Sequence, residues 1–470
     1  MALRRPRPRR RVSDSAFQLD ARSMQTLPGA ASVARHDAAV WMLRAKRDAA
    51  VSQVPDFEAL RTRAAAIKDH TLDRLDHYLE RFEAQARAHG VVVHWAPDAR
   101  ALCVTVETLL RERGMTRVVK SKSMLTEECG LNPWLEARGI DVVDTDLGER
   151  IVQLEGEPPS HIIVPAIHRT RAQVGALFHR EMGSPAGEDD PERLMAHARV
   201  DLRARFLAAE AGITGANFAI AETGSLVIVT NEGNADLGTS LPPLHIACLG
   251  IEKLVPALDD VAVFLRLLAR SATGQPLSVY TSFLAAPRPG GELHVVLVDN
   301  GRSALLASES HRRALRCIRC GACLNTCPVY RRAGGHAYGV PVAGPIGAVL
   351  APALVGTDAA KQLPYASSLC GSCTAVCPVR IDLHEQLLAW RREAPALPRS
   401  LRRGARLVGW VMARPRLYRV ATRLSRVVWP LLARPFAGNP AAPWLAARTL
   451  PEHPGASFAE RWRKSRGAGR

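Results

Sequence analysis

Apolar positions recur along this chain with two different periods, and the change between them marks its organisation. From about residue 31 to 89, Leu60, Ile67, Leu72, Leu75, Leu79 and Phe82 recur at steps near three and four, with charged residues between them, until Gly90 ends the run. That spacing predicts amphipathic helices packed on the domain that follows. His70 and His77 fall on roughly one face of this pattern, where surface positions explain them better than a ligand pair. From 91 to 300, short apolar runs alternate with helical stretches. VVVHWA (91–96), TRVVKS (116–121), IDVVDTD (140–146), HIIVPA (161–166), ANFAIAET (215–222), SLVIVTN (225–231), SVYTSFL (278–284) and HVVLVDN (294–300) are the apolar runs. Helices are expected over 97–113, through Trp134, on towards Glu210 and over 259–269. Runs apolar on both faces that alternate with helices predict a largely parallel α/β sheet. Residues 215–222 and 225–231 lie too close together for a crossover helix, so they predict a hairpin.

Ligands of such sheets bind in the loops at the carboxyl ends of strands. Three stretches fit that position: Lys120, Ser121, Lys122 and Ser123, then Glu222, Thr223 and Gly224, then Asn231, Glu232, Gly233 and Asn234. The first could meet an anion with cations, hydroxyls and amides, although all three are also good turn sequences. Neither G-x-G-x-x-G nor G-x4-G-K-[ST] occurs here, which argues against the ordinary dinucleotide and nucleoside-triphosphate sites.

Residues 301–393 break the alternation. They hold two cysteine-rich stretches and, between them, a glycine- and proline-rich interval suited to covering a bound group. Beyond residue 394, LRRGARLVGWVMARPRLYRVATRLSRVVWPLLARP (401–435) is arginine-rich, with Trp410, Tyr418 and Trp429 among apolar residues, as in helices lying on a partner or an anionic membrane face. The last thirty residues are expected to be irregular, and residues 1–30 disordered.

Charge sharpens this division. The net charge is +18 over 470 residues. Residues 1–12 hold six arginines and no acid, and residues 391–470 hold eighteen Lys or Arg against Glu393, Glu452 and Glu460. The body between is therefore near neutral and the tails are basic. Such tails suit an acidic protein surface or anionic lipid. No fold motif for nucleic acid accompanies them, so nucleic acid ranks last as a partner. The arginine-rich start leads into no apolar signal segment, and no stretch reaches about 18 apolar residues. The expectation is a cytoplasmic protein, soluble or peripheral at the inner face of the membrane.

The candidate chemistry lies in the cysteines, seven of the ten falling in two short stretches. Cys317, Cys320, Cys323 and Cys327 are spaced C-x2-C-x2-C-x3-C-P, and Cys370, Cys373 and Cys377 are spaced C-x2-C-x3-C-P. The first spacing brings three thiolates to one cubane iron–sulfur core from a tight turn eased by Gly321, while the cysteine before proline serves the partner cluster. A structural zinc site would use two C-x2-C knuckles instead. Crossed pairing gives cluster one Cys317, Cys320, Cys323 and Cys377, and cluster two Cys327, Cys370 and Cys373. Ser367 stands where the second motif's missing thiolate would be. The last position of cluster two is open to Ser367, Ser368, His336, His384 or water, or to a three-iron 3Fe–4S cluster in place of 4Fe–4S. Cys103, Cys129 and Cys248 sit singly and read as core thiols. Thiols in cluster spacing point to a reducing compartment.

These pieces together resemble a known family. VVKSKSMLTEE, ITGANFAIAETGSLVIVTNEGN, TSLPPLHI, HVVLVDNGR, CIRCGACLNTCPVYR, YGVPVAGPIGAVL and LPYASSLCGSCTAVCPVRIDLHEQL, in this order, resemble the lactate utilization protein B family (LutB, also YkgF) over residues 30–390. The resemblance implies an α/β LUD domain, similar to CoA transferases and 5-formyltetrahydrofolate cyclo-ligase, followed by a mainly α-helical dicluster ferredoxin domain. It divides the chain into a basic N-terminus (1–30), a helical segment packed on the LUD domain (31–90), the LUD domain (91–300), the 4Fe–4S domain (301–393) and a basic extension (394–470). It also implies two companion lactate-utilization proteins, oxidation of L-lactate to pyruvate, and an electron-carrying role here; the basic C-terminus, by its charge and outside the resemblance, suggests a membrane-surface or quinone-linked acceptor. The competing readings are an enzyme whose LUD pocket itself binds a small anionic substrate, and a scaffold with structural clusters.

Overall fold

The computed structural model describes residues 27, 29–394, 399–432 and 455–467. The expected disorder of the N-terminus therefore lies almost wholly outside the described residues. The first helix begins at Gly29 and runs to Ser52, followed by Phe57–Asp73 and Leu75–Ala88. Leu60, Leu72, Leu75, Leu79 and Phe82 are buried along the expected stripe. His70 Nε2 meets the Tyr78 hydroxyl at 2.8 Å, a local contact within this helical segment.

Six strands form one sheet in which every pairing is parallel. They are β1 (Val92–Ala96), β2 (Arg117–Lys120), β3 (Asp141–Asp144), β4 (Ala211–Gly215), β7 (Leu244–Gly250) and β10 (Glu292–Val298), in the order β1-β10-β7-β4-β2-β3. On β10, His294 is level with Val92 on one side and Ile246 on the other. Helix Ala99–Arg111, capped by Asp98, buries Leu102, Cys103, Val106, Leu109 and Leu110 on one face of this sheet. The other face joins a core shared with the N-terminal helices, helix Leu258–Ala272 and the cysteine-rich segment. A second sheet holds β8 (Leu254–Val255), β5 (Phe218–Ile220), β6 (Ser225–Thr230) and β9 (Tyr280–Leu284) in that order. β5 and β6 form the hairpin that their spacing predicts.

The structure departs from the sequence pattern in four places. β4 and β7 escape the apolar runs because glycine interrupts one and Pro242-Pro243 precedes the other. Gly212 in β4 is required by close approach, since a Cβ there would lie 1.8 Å from the Gly238 carbonyl oxygen. Residues 161–166 form no strand. The Ile163 and Val164 amides both donate to His161 Nδ1, so a side chain captures the groups that a ladder would need. The helix through Trp134 is two helices, Met124–Glu128 and Leu131–Glu136, parted by Gly130 at φ 68°. The stretch read as a loop from Asn231 to Asn234 leads directly into a helix, Asn234–Ser240, and then β7.

Residues 301–394 contain helices and short 3-10 turns and no strand. The N-terminal helices pack on this segment as well as on the sheets. Arg47 donates to the Val376 carbonyl at 3.1 Å, Asp69 pairs with Arg316, and helix Gly29–Ser52 lies against helices Ala322–Thr326 and Pro328–Ala333. The C-terminal unit contains helices Arg399–Met412, Pro415–Leu432 and Phe458–Gly467. The last of these lies where irregular chain was expected, and an acid beside a basic residue (Glu460 with Arg426, 2.8 Å) ties it down. Among the described residues no helix is long and apolar enough to cross a membrane.

Candidate iron–sulfur site

Both cysteine motifs fold the same way. Each has a residue at positive φ, Arg319 (60°) or Leu369 (55°), directly before a cysteine. A left-handed glycine follows, Gly321 (75°) or Gly371 (78°), then a single helical turn, Ala322–Thr326 or Ser372–Val376. The turn ends at a cysteine followed by proline. The two turns pack on each other, with the Thr326 and Ser372 hydroxyls in contact. This packing interleaves the thiols. Cys377 lies within electrostatic reach of Cys317, Cys320 and Cys323, and Cys327 within reach of Cys370 and Cys373. Cys323 also reaches Cys373, so the two groups adjoin. Most of these thiols are buried, Cys317 is half-buried and Cys370 is exposed.

Ser367 occupies the place of Cys317 in the repeat, and the backbone treats it alike. The Arg319 amide donates to Cys317 Sγ at 3.4 Å, and the Leu369 amide donates to Ser367 Oγ at 3.1 Å. The two histidine candidates for that position are engaged elsewhere, and Ser368 is exposed. His384 Nδ1 bonds the Thr374 hydroxyl at 2.7 Å, and His336 Nε2 bonds the Pro158 carbonyl at 2.7 Å, its ring edge-on to His168.

The donor set suits a polycationic core. Burial pushes Cys320 and Cys373 up to about 12, Cys377 to about 11 and Cys323 well above its ordinary value, so thiolates here need positive charge supplied from within. Backbone amides already point at three sulfurs: Arg319 at Cys317, Tyr330 at Cys327 (3.5 Å) and Ile381 at Cys377 (3.3 Å). Arginines from the N-terminal helices complete the surround. Arg61, 7% exposed, donates to the carbonyls of Cys377 (2.8 and 2.9 Å) and Ala375 (2.9 Å).

A cavity of about 720 Å³ opens at the carboxyl ends of the parallel strands. It gathers Ser121, Lys122 and Ser123 with Asn231, Glu232 and Asn234, as the loop positions predict. Lys122 is already paired, with Asp146 (2.8 Å) and the Ile163 carbonyl (3.1 Å). Lys120 lies behind the wall, fully buried against Asp144 at 2.7 Å with Glu127 and Glu149 near, so it is an internal cation and cannot meet a ligand. Glu222, Thr223 and Gly224 form a structural turn away from the cavity. A Cβ at Gly224 would lie 2.3 Å from the Ala86 amide nitrogen.

Comparison with known proteins agrees with this geometry. The LUD domain model matches residues 79–302 and the 4Fe-4S dicluster domain model matches residues 313–381. Lactate utilization protein B of Geobacillus thermodenitrificans is 48% identical over 354 residues, covering 74% of each chain. The chain belongs to the lactate utilization protein B family. A second relative, described as the uncharacterized electron transport protein YkgF of Escherichia coli, is 43% identical over 433 residues, 89% of this chain and 91% of its own. Lactate utilization protein B of Bacillus licheniformis is 46% identical over 357 residues, 74% of each chain. With its LUD and dicluster domains, this lactate utilization protein B family member carries two 4Fe–4S clusters. Sequence reasoning missed Arg47, Arg61, Arg319 and Lys253 around them. Only Arg319 carried a signal, an arginine set directly before Cys320.

Proposed function

We propose that this protein is the electron-transfer subunit of a complex that oxidises L-lactate to pyruvate with two companion lactate-utilization proteins. Its role is in lactate utilization, with iron–sulfur electron transfer. The observation that carries the reading is the interleaving of seven thiols from two motifs into two adjoining groups. In this assignment Cys317, Cys320, Cys323 and Cys377 hold one cluster. Cys327, Cys370 and Cys373 hold the other, with Ser367 at its remaining corner. When bound, the clusters accept and release single electrons. The chain buries the sulfurs, directs amides at them and fixes the second motif through Arg47 and Arg61. Exposed Cys370 makes the second group the side from which an acceptor is reached. The organisation into helical segment, LUD domain of CoA-transferase and cyclo-ligase type, ferredoxin-type domain and basic extension belongs to the same proposal. The extension carries nine arginines and no acid over residues 399–432, which suits docking at the inner membrane face near a quinone-linked acceptor.

A second reading, in which the LUD cavity itself binds a small anionic substrate, is favoured by the presence of Arg319 in both the cavity wall and the first cysteine loop. Anaerobic protein mixed with L-lactate, with and without the two companions, separates the readings by electron paramagnetic resonance. Cluster reduction only with companions supports the carrier. Reduction by L-lactate alone would overturn it, and clusters that no donor can reduce would make them structural.

A further inference from the structure

The inner end of the LUD cavity carries more cation than it uses. Arg302 bridges two buried carboxylates, Glu252 (2.6 Å from Nε) and Glu128 (2.9 Å from Nη1), and Arg319 Nη2 lies 4.0 Å from each. Arg319 Nη1 is buried with no hydrogen-bond partner. Lys253 lines the same end and makes no hydrogen bond or ion pair within 4.0 Å to any described residue. Three cations thus face two carboxylates. Lys68 stands behind them on the Glu252 and Leu254 carbonyls, so the surplus is at least one positive charge. Burial lowers the pKa of Lys253, a cost that an anion within the cavity would reverse.

The rest of the cavity is mixed, with paired charges and a broad apolar stretch. Beside the paired Lys122 and Asp146, Ile151, Val164, Val174, Phe178 and Leu194 form an apolar stretch of wall, and a volume of about 720 Å³ is far more than a three-carbon acid fills. A ligand that satisfies both ends has one anionic head and an apolar body. Arg319 connects that head to the cluster domain. Its side chain lines the cavity while its backbone amide donates to Cys317 Sγ, and Lys253 is within electrostatic reach of the same sulfur.

We propose that the inner end of this cavity is a carboxylate site for an organic monoanion with an apolar body, and that its occupancy is coupled to the redox state of the cluster assigned to Cys317, Cys320, Cys323 and Cys377. Ligand binding and reduction each add negative charge to one neighbourhood, so each opposes the other, and the coupling is reciprocal. The redox part rests on the cluster assignment proposed above, whereas the binding part does not.

The test uses anaerobic full-length protein with both clusters present. Calorimetry with octanoate, octanol, L-lactate and inorganic phosphate reads binding. Octanoate is expected to bind at least tenfold more tightly than any of the other three. Lys253→Gln and Arg319→Asn are each expected to weaken it about tenfold at unchanged iron content. Asparagine tolerates the positive φ at 319, and Lys253 lies outside the cysteine loop should the first variant lose iron. If the oxidised form binds tenfold more tightly, saturating octanoate lowers the potential of that cluster by about 59 mV. Equal binding of octanol, or no binding by protein of full iron content, would overturn the carboxylate site and leave the cations as balance for the cluster. Phosphate or L-lactate binding as tightly as octanoate would overturn the apolar body. An unmoved potential with octanoate bound would overturn the coupling. A wrong cluster assignment shows itself separately, as missing iron or a missing resonance signal before any ligand is added.

Discussion

Arg61 is the side chain whose removal tests the architecture most directly. It comes from the second described helix, yet it satisfies the buried carbonyl of Cys377 and the part-buried carbonyl of Ala375, more than 300 residues away in sequence. Methionine at 61 keeps the length of the stem and supplies no donor. An orphaned buried carbonyl costs about 1–3 kcal/mol, and the Ala375 carbonyl can turn to water, so Arg61→Met destabilises the second motif locally by about 1–3 kcal/mol through Cys377. Tenfold in an opening equilibrium corresponds to about 1.4 kcal/mol, so the segment around Cys377 should open at least about fivefold more often. Anaerobic release of iron to a ferrous chelator, followed alongside the resonance signal of each cluster, measures this. The variant should release iron at least about fivefold faster, first from the cluster assigned to Cys377, and Arg61→Lys should fall between. Release within twofold of the unaltered protein, at unchanged melting temperature, would refute the idea that the N-terminal helices hold the site together.

Three further outcomes are expected. Ser367→Cys places a thiolate where the Leu369 amide already points, so the second cluster should resist oxidative conversion to a three-iron form, while Ser367→Ala should change little; oxygen-exposure kinetics followed by resonance check this. Burial pushes the Glu149 carboxyl up to about 8, above its unfolded value of about 4.3, so its contribution to stability is complete below that value and lost as pH rises through about 8. Glu149→Gln should therefore flatten the fall in melting temperature between about pH 5 and 8, and parallel curves would refute this. Removing residues 396–470 should leave iron content intact and abolish binding to anionic vesicles, with the largest difference at low salt; co-sedimentation that does not change at any ionic strength would exclude the extension as the contact.

The parts of this molecule that were legible from sequence are those whose chemistry is local. Cysteine spacing is local, and so are the hairpin at 218–230 and the helical stripe through Leu60 and Phe82. What stayed hidden depends on approach from afar. Gly212 looks like a strand breaker until the Gly238 carbonyl is seen against it. Lys120 and Lys122 looked alike in a loop, but one is sealed against Asp144 and the other reaches the cavity. Residues 161–166 have strand composition, yet His161 takes their amides and donates its other edge to Asn325 of the cluster segment at 2.8 Å. No periodicity carries such information, because the partner lies more than a hundred residues away.

The position of β10 has a consequence for how the chain is made. This strand, residues 292–298, lies between β1 and β7, so until it emerges from the ribosome both neighbours present a bare edge. At about 5–20 residues per second, β1 waits on the order of 10–40 s for its partner. The first cysteine motif begins at Cys317, nineteen residues after β10 ends at Val298, so closure of the sheet and the earliest moment for iron delivery nearly coincide. The helices that clamp the second motif have by then been waiting since the start of synthesis. Nascent chains arrested before residue 292 should therefore engage chaperones that recognise open strand edges, and those arrested after about residue 400 should not.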